Sequence, residues 1–354
     1  MTAESLRYAL GVSAAAALLA GCGALPLSSS KGPAVAQLPV NAVPETTTLP
    51  VPANHGTSWM EAGAAKHDLL YVTDGAANVY VYTYPQGRHV GTLTGFISPL
   101  GECTDAAGDV FIVSSNGGKG SLQSAIITEY AHGGKKPILT LTVSQAGSGC
   151  TVDPSTGNLA VAGSWDYYGQ YLGAVSTYTA SGEQLVTIYT RSFNAFSMCG
   201  YDAQGNLYLS SEAGSHEEDL VRLPADTSDG FQAISVNEPL YAYHAPVSVQ
   251  WDGTYVTVSS TPDRSPIKLY RLSISGNSAT VVGTTILSSK SNFRKTSQVW
   301  IQGNSVVDAD YFKGDAGIDR WTYPRAAKPE RVLPNSIRAS LYGVAISPAG
   351  NKEK

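Results

Sequence analysis

Between positions 68 and 347, apolar residues come in short runs rich in Val, Ile, Leu, Tyr and Phe. Each run is closed by a polar turn, and no stretch carries a long apolar stripe at helical spacing. Runs such as Asp68-Leu-Leu-Tyr-Val-Thr and Asn78-Val-Tyr-Val-Tyr-Thr-Tyr predict strands, with a third near Val90. A strand–turn–strand phrase returns from Cys103, Cys150, Cys199, Val249, Val299 and Val344, every 45 to 50 residues. Its turns centre on Gly-Asp, Gly-Asn or Gly-Thr, residue types that accept the positive φ of two-residue hairpin turns. Two more strands follow in most copies, such as Ala174–Thr179 with Gln184–Tyr189, and Ile267–Leu272 with Ala279–Gly283. Four strands per unit of this length predict an all-β chain folded as a β-propeller.

The ends complete the count. The strands near residues 68–93 form a blade lacking its first strand, and Leu341–Ser347 is a first strand lacking its blade. Joined, they predict a six-bladed β-propeller whose ring is closed by the C-terminal strand completing the first blade, leaving no open sheet edge there. The expected organisation is a signal peptide over 1–21, a tether over 22–66, the propeller over 67–348 and a tail over 349–354.

Gly149-Cys150-Thr-Val-Asp153-Pro-Ser-Thr-Gly157-Asn-Leu-Ala-Val resembles the opening of an NHL-type propeller repeat, and Cys199–Leu209 is similar. The resemblance spans roughly residues 68–347. The later copies depart from it, with Gln250-Trp251-Asp252 and Gln302-Gly303 in place of the usual order. NHL-type propellers resemble in turn the gluconolactonase and strictosidine-synthase propellers, some of which are enzymes. That resemblance implies a rival reading as a metal-dependent hydrolase, with Glu102 and Asn194 as channel candidates, but a fold does not carry an activity with it.

The N-terminus adds an address. A short apolar run over Ala9–Ala20 leads into Leu19-Ala20-Gly21-Cys22, which matches the bacterial lipoprotein signal with Cys22 as the lipidated residue. The run is too short to span a bilayer. Six prolines between Pro26 and Pro52, with Ser and Thr triplets, make the following segment an extended tether. The expected location is therefore the bacterial cell envelope, outside the cytoplasm and lipid-anchored, on the outer membrane where there are two. Charged residues are only 14% of the chain, against about 25% in average proteins. A net charge of −5 without a Lys/Arg cluster argues against nucleic acid as a partner.

With Cys22 set aside, three cysteines remain, so at least one is unpaired within a monomer. Cys103, Cys150 and Cys199 are read foremost as small apolar residues packed between sheets.

Motifs for chemistry are sparse. There is no Gly-x-Ser-x-Gly elbow. Ser215-His216-Glu217-Glu218-Asp219 lacks the second His of a zinc-protease motif and reads as an acidic loop. Asp308, Asp310 and Asp319 fall at calcium-loop positions, but Phe312 replaces a ligand. No cofactor and no metal are expected. The residues that stand out are aromatics and cations on predicted loops of one face: Trp165, Tyr167, Tyr168, Tyr171, Arg191, Phe193, Tyr241, Tyr243, His244, Arg264, Arg294 and Tyr311. Such residues are enriched at binding hot spots, and loops on a rigid scaffold are where function usually sits. The expected role is a non-catalytic binding or assembly scaffold for an envelope protein, peptide or glycan.

Overall fold

The computed structural model describes residues 56–116, 124–167, 170–212, 218–226, 230–238, 240, 248–260, 266–288, 296–310, 317–325, 329–333 and 340–350. All belong to the unit Val35–Lys354. The signal segment, Cys22 and most of the expected tether lie outside the described residues.

The chain runs through antiparallel meanders. The first strands are β1 (Trp59–Met60), β2 (Leu69–Thr73), β3 (Asn78–Thr83) and β4 (His89–Thr94). Next come β5 (Pro99–Thr104), β6 (Val110–Ser115), β7 (Ala125–Tyr130) and β8 (Pro137–Val143). They are followed by β9 (Ala146–Val152), β10 (Leu159–Tyr167), β11 (Gln170–Tyr178) and β12 (Gln184–Thr190). After these lie β13 (Phe196–Tyr201), β14 (Leu207–Glu212), β15 (Glu218–Leu223) and β16 (Gln232–Val236). Then come β17 (Val249–Trp251), β18 (Val256–Ser260), β19 (Ile267–Ser275) and β20 (Ser278–Leu287). The last meander is β21 (Thr296–Gln302), β22 (Ser305–Asp310), β23 (Ile318–Thr322) and β24 (Glu330–Leu333), and β25 (Val344–Ser347) ends the series. The one helical element among the described residues is a 3-10 turn at Ala64–Lys66.

These strands make five sheets. Two neighbouring meanders merge into one eight-stranded sheet, because Ser235 and Val236 of β16 pair in parallel with Ser278 and Ala279 of β20. This departs from the separate blades expected, and the cause is local: the β19–β20 hairpin runs past β18, whose pairing stops at Leu272, and its tip meets β16. As expected, β25 pairs with β2, from Leu69–Ser347 to Val72–Val344. At the other edge of that sheet, Trp59 and Met60 pair with β4, so part of the segment read as tether lies in the sheet.

The arrangement is propeller-like. The innermost strands follow one another in contact as β25, β5, β9, β13 and β17, and β21 lies against β25. Between β17 and β21 the link is made by side chains, with Gln250 bonding the N–H and carbonyl of Ile301. Sheets stack face to face, which explains the unbroken apolar runs of the sequence. On β2, Leu69 and Tyr71 face a core shared with Val110 and Ile112, while Leu70 and Val72 face one shared with Trp300 and Val307. Alternate residues thus enter two different cores, and both faces are apolar.

Most of the repeated turns are wider than the two-residue type expected, which is kept between β21 and β22, where Gln302 pairs with Ser305 across Gly303 and Asn304. Asp202 Oδ1 accepts the N–H groups of Gln204 and Asn206, both at 2.9 Å, and this side-chain acceptor holds open a longer loop in which Gly205 takes a φ of 79°.

Candidate functional site

The innermost strands enclose a cavity of about 180 Å³. Its walls include Cys103, Cys150, Met198, Cys199, Tyr201, Ser248, Gln250, Trp251, Gln298 and Trp300. The volume falls short of the roughly 300–1,000 Å³ of pockets that take drug-sized ligands. Among the described residues, no carboxylate, imidazole or amine lines it. Burial pushes the Cys199 thiol up to about 12 and raises the Tyr201 phenol as well, so neither supplies a reactive anion near neutral pH.

Beside the cavity, Cys103 of β5 and Cys150 of β9 form a disulfide, and Cys199 is free and buried. This corrects the reading of all three as packed thiols. A polar bridge completes the ring. Gln298 is 5% exposed, accepts the N–H groups of Glu102 and Val344 at 3.1 and 3.2 Å, and donates to the Glu102 carbonyl at 2.6 Å.

The two residues proposed for a lactonase-like centre are not brought together at this cavity. Glu102 is fully buried beside the register partner Ile112 and is not among the residues that line the cavity, and neither carboxylate oxygen has a hydrogen-bond partner among the described residues. Desolvation holds its pKa well above the ordinary value of 4.5. Asn194 is exposed on the turn between β12 and β13. The calcium-loop spacing set aside in the sequence does not form a loop here. Asp308 and Asp319 are register partners on β22 and β23, so they belong to a ladder and not to a loop. Asp310 lies in β22, Phe312 lies outside the described residues, and so do Ser215–Glu217.

The aromatic patch is partly visible. Trp165 and Tyr167, expected on a loop, lie in β10, and Tyr171 lies in β11. β9 pairs with β10 only over Leu159–Ser164, and β12 pairs with β11 only over Gly173–Tyr178. Among the described strands, residues 165–167 and 170–172 therefore pair only with each other and form a two-stranded projection. Trp165 is half-buried, edge-on to Tyr189 at 5.5 Å, whereas Tyr171 is 49% exposed. Phe193 is buried with Phe196 at 5.9 Å and serves the core, and Arg191 is exposed on the same turn. Tyr168, Tyr241, Tyr243, His244, Arg264, Arg294 and Tyr311 lie outside the described residues.

Stacked four-stranded meanders around a central cavity, with the last strand paired to the first sheet, define the architecture. The fold is a β-propeller. A chain of the nidogen–laminin complex is similar over 80% of this chain and 98% of that one, with a TM-score of 0.59 and 11% identity. A protein of unknown function from Bacteroides caccae is similar over 79% and 99%, at a TM-score of 0.55 and 12% identity. A Lactobacillus plantarum protein is similar over 79% and 99%, at 0.51 and 12%. No protein-family model matches the chain, and no curated protein matches it. At these identities the likeness is one of fold.

Proposed function

We propose that the protein is a lipid-anchored, extracytoplasmic propeller of six blades that acts as a non-catalytic binding scaffold, with the β10–β11 projection as its contact element. The observation that carries the binding role is that projection: a two-stranded arm beyond its own sheet, bearing Trp165 and an exposed Tyr171. Aromatic rings on a rigid arm offer contact area at low entropic cost, to a protein, a peptide or a glycan. A cavity wall without a general acid or base supports the non-catalytic half.

The count of six rests on the innermost strands β25, β5, β9, β13, β17 and β21, which treats the eight-stranded sheet as two blades joined at their outer edges. The anchor rests on Leu19-Ala20-Gly21-Cys22 and the proline-rich segment after it. The Cys103–Cys150 disulfide supports an oxidising compartment. A similar fold in the nidogen–laminin complex supports a propeller working within an assembly.

Two measurements test the reading. Membrane fractionation of the full chain and of Cys22→Ala should show the variant released into the soluble fraction. A panel of soluble peptides and glycans screened against the wild type and the Trp165→Ala/Tyr171→Ala variant should lose a hit in the variant at unchanged melting temperature. Hits that survive the double substitution sink the contact element.

A further inference from the structure

The turn between β13 and β14 shows how this fold satisfies its repeated aspartate. Asp202 Oδ2 accepts Asn206 Nδ2 at 2.9 Å and the Tyr208 hydroxyl at 3.2 Å. On β15, the register partner of Tyr208 is Arg222. The turn between β5 and β6 has the same backbone design, with Asp105 Oδ1 accepting the N–H groups of Ala107 and Asp109 at 2.9 and 2.8 Å. Each side-chain donor, however, has been exchanged. Asp109 stands in place of Asn206, Phe111 in place of Tyr208, and Glu129, the register partner of Phe111, in place of Arg222. The corresponding residue is Arg271 on β19, Arg320 on β23 and Thr177 on β11, so Glu129 alone inverts the charge.

The result is three carboxylates, each with one oxygen within 4.8 Å of an oxygen of the other two. Glu129 is 8% exposed and makes no hydrogen bond to any described residue. A polar side chain this deeply buried is ordinarily paired.

We propose that Asp105, Asp109 and Glu129 hold a divalent cation, and that the cation is calcium. All three donors are hard oxygens, as calcium and magnesium require. One oxygen from each carboxylate lies within 4.8 Å of the other two, near enough to share one ion. Magnesium is usually held by one or two carboxylates and keeps several waters, so a set of three carboxylates suits calcium. The site adjoins the ring closure. The Gly108 carbonyl accepts the hydroxyl of Ser347 on β25, and Asp109 Oδ1 accepts the His132 N–H at 3.1 Å. The His132 ring in turn meets Ser347 Oγ and the His67 carbonyl. A bound ion fixes the turn against which the last strand docks.

The test uses the full chain, stripped with chelator and titrated calorimetrically with calcium, magnesium and manganese, alongside thermal melts. The expected result is one calcium per chain, with a dissociation constant on the order of 10⁻⁴–10⁻³ M as in extracellular modules, and a melting temperature several degrees higher when loaded. Glu129→Gln should weaken binding at least tenfold. Glu129→Arg restores the residue used on β15, β19 and β23. It should melt, with or without calcium, no lower than the stripped wild type. No binding of any of the three ions up to about 10 mM overturns the site. Tighter binding of magnesium or manganese than of calcium overturns the assignment, and undiminished affinity in Glu129→Gln overturns the ligand set.

Discussion

Two arcs of the inner ring are joined in different ways. From β5 through β9 and β13 to β17, the strands meet backbone to backbone. A Cβ on Gly101 would lie 2.5 Å from the Ser148 carbonyl oxygen, and one on Gly200 would lie 2.6 Å from that of Val249. The disulfide reinforces this arc. From β17 through β21 to β25, side chains do the joining. Gln250 holds Ile301 by both backbone groups, Ser248 Oγ accepts the Val299 N–H at 2.7 Å, and Gln298 reaches across β25 to Glu102. The first arc has no room for a side chain, and the second depends on particular ones. Substitutions should therefore fail by clash in the first and by orphaned hydrogen bonds in the second.

The largest expected effect comes from removing the strand that completes the second arc. Leu341, Val344 and Ile346 are each fully buried, and together they stabilise by about 5–9 kcal/mol before entropy. Whole domains are stable by about 5–15 kcal/mol. A chain truncated before residue 340 should lose its single cooperative melt, and an unchanged calorimetric transition would refute closure by β25.

Next is the covalent tie of the first arc. The disulfide spans a sequence separation of 47, for which the chain-entropy treatment gives about 4 kcal/mol. Cys103→Ser should lower the unfolding free energy by about 3–4 kcal/mol in denaturant titrations. Reductant should bring the wild type to the same midpoint and leave the variant unmoved.

Gln298→Ala should cost about 2–3 kcal/mol, because it strands two buried N–H groups and a carbonyl. Amide hydrogen exchange should then quicken at Val344 before it does at β9. Equal quickening in both arcs would contradict the division drawn above.

The smallest effect is a gain. Glu102 titrates well above 4.5 in the fold, so the unfolded chain loses its proton first and stability falls as pH rises from about 4.5 toward the folded pKa. Glu102→Gln abolishes that loss, by about 1.4 kcal/mol for each unit of pKa elevation. The variant should out-melt the wild type at pH 7 and match it at pH 4, and an equal advantage at both pH values would contradict the desolvated carboxyl.

The meanders and the pairing of β25 with β2 were legible because the 45–50-residue period and the unfinished first blade are both written in strand-forming residues. The merger of β16 with β20 was not, since a two-residue parallel contact between outer strands leaves no pattern in either. The cysteines are more instructive. Cys150 and Cys199 occupy one register position, and their sulfurs lie against the preceding meander, near the carbonyls of Phe111 and Ala160. Two residues that face the same way on successive strands do not meet. Cys103 is displaced by one residue, and a shift of one turns a strand side chain to the opposite face, here toward Cys150. That displacement is visible in the sequence and was the available signal. The acidic cluster was readable in the same manner, by setting Asp109 against Asn206 in aligned turns. Glu129 was not, because its place depends on the third strand's register. Of the aromatic patch, the projection at Trp165–Tyr171 became visible only with the pairing, and Phe193 illustrates that an aromatic between strands serves the core as readily as a ligand.

Closure by β25 also orders events in time. The Thr73 hydroxyl accepts the N–H of Gly343, a partner 270 residues further along the chain. During synthesis β2 emerges with an edge that nothing covers until a partner 270 residues later has followed. The first sheet must wait for every meander between them. Contacts of such separation are the slow ones in folding, so completion of the ring is set by the arrival of β25 and not by the rate at which each meander forms.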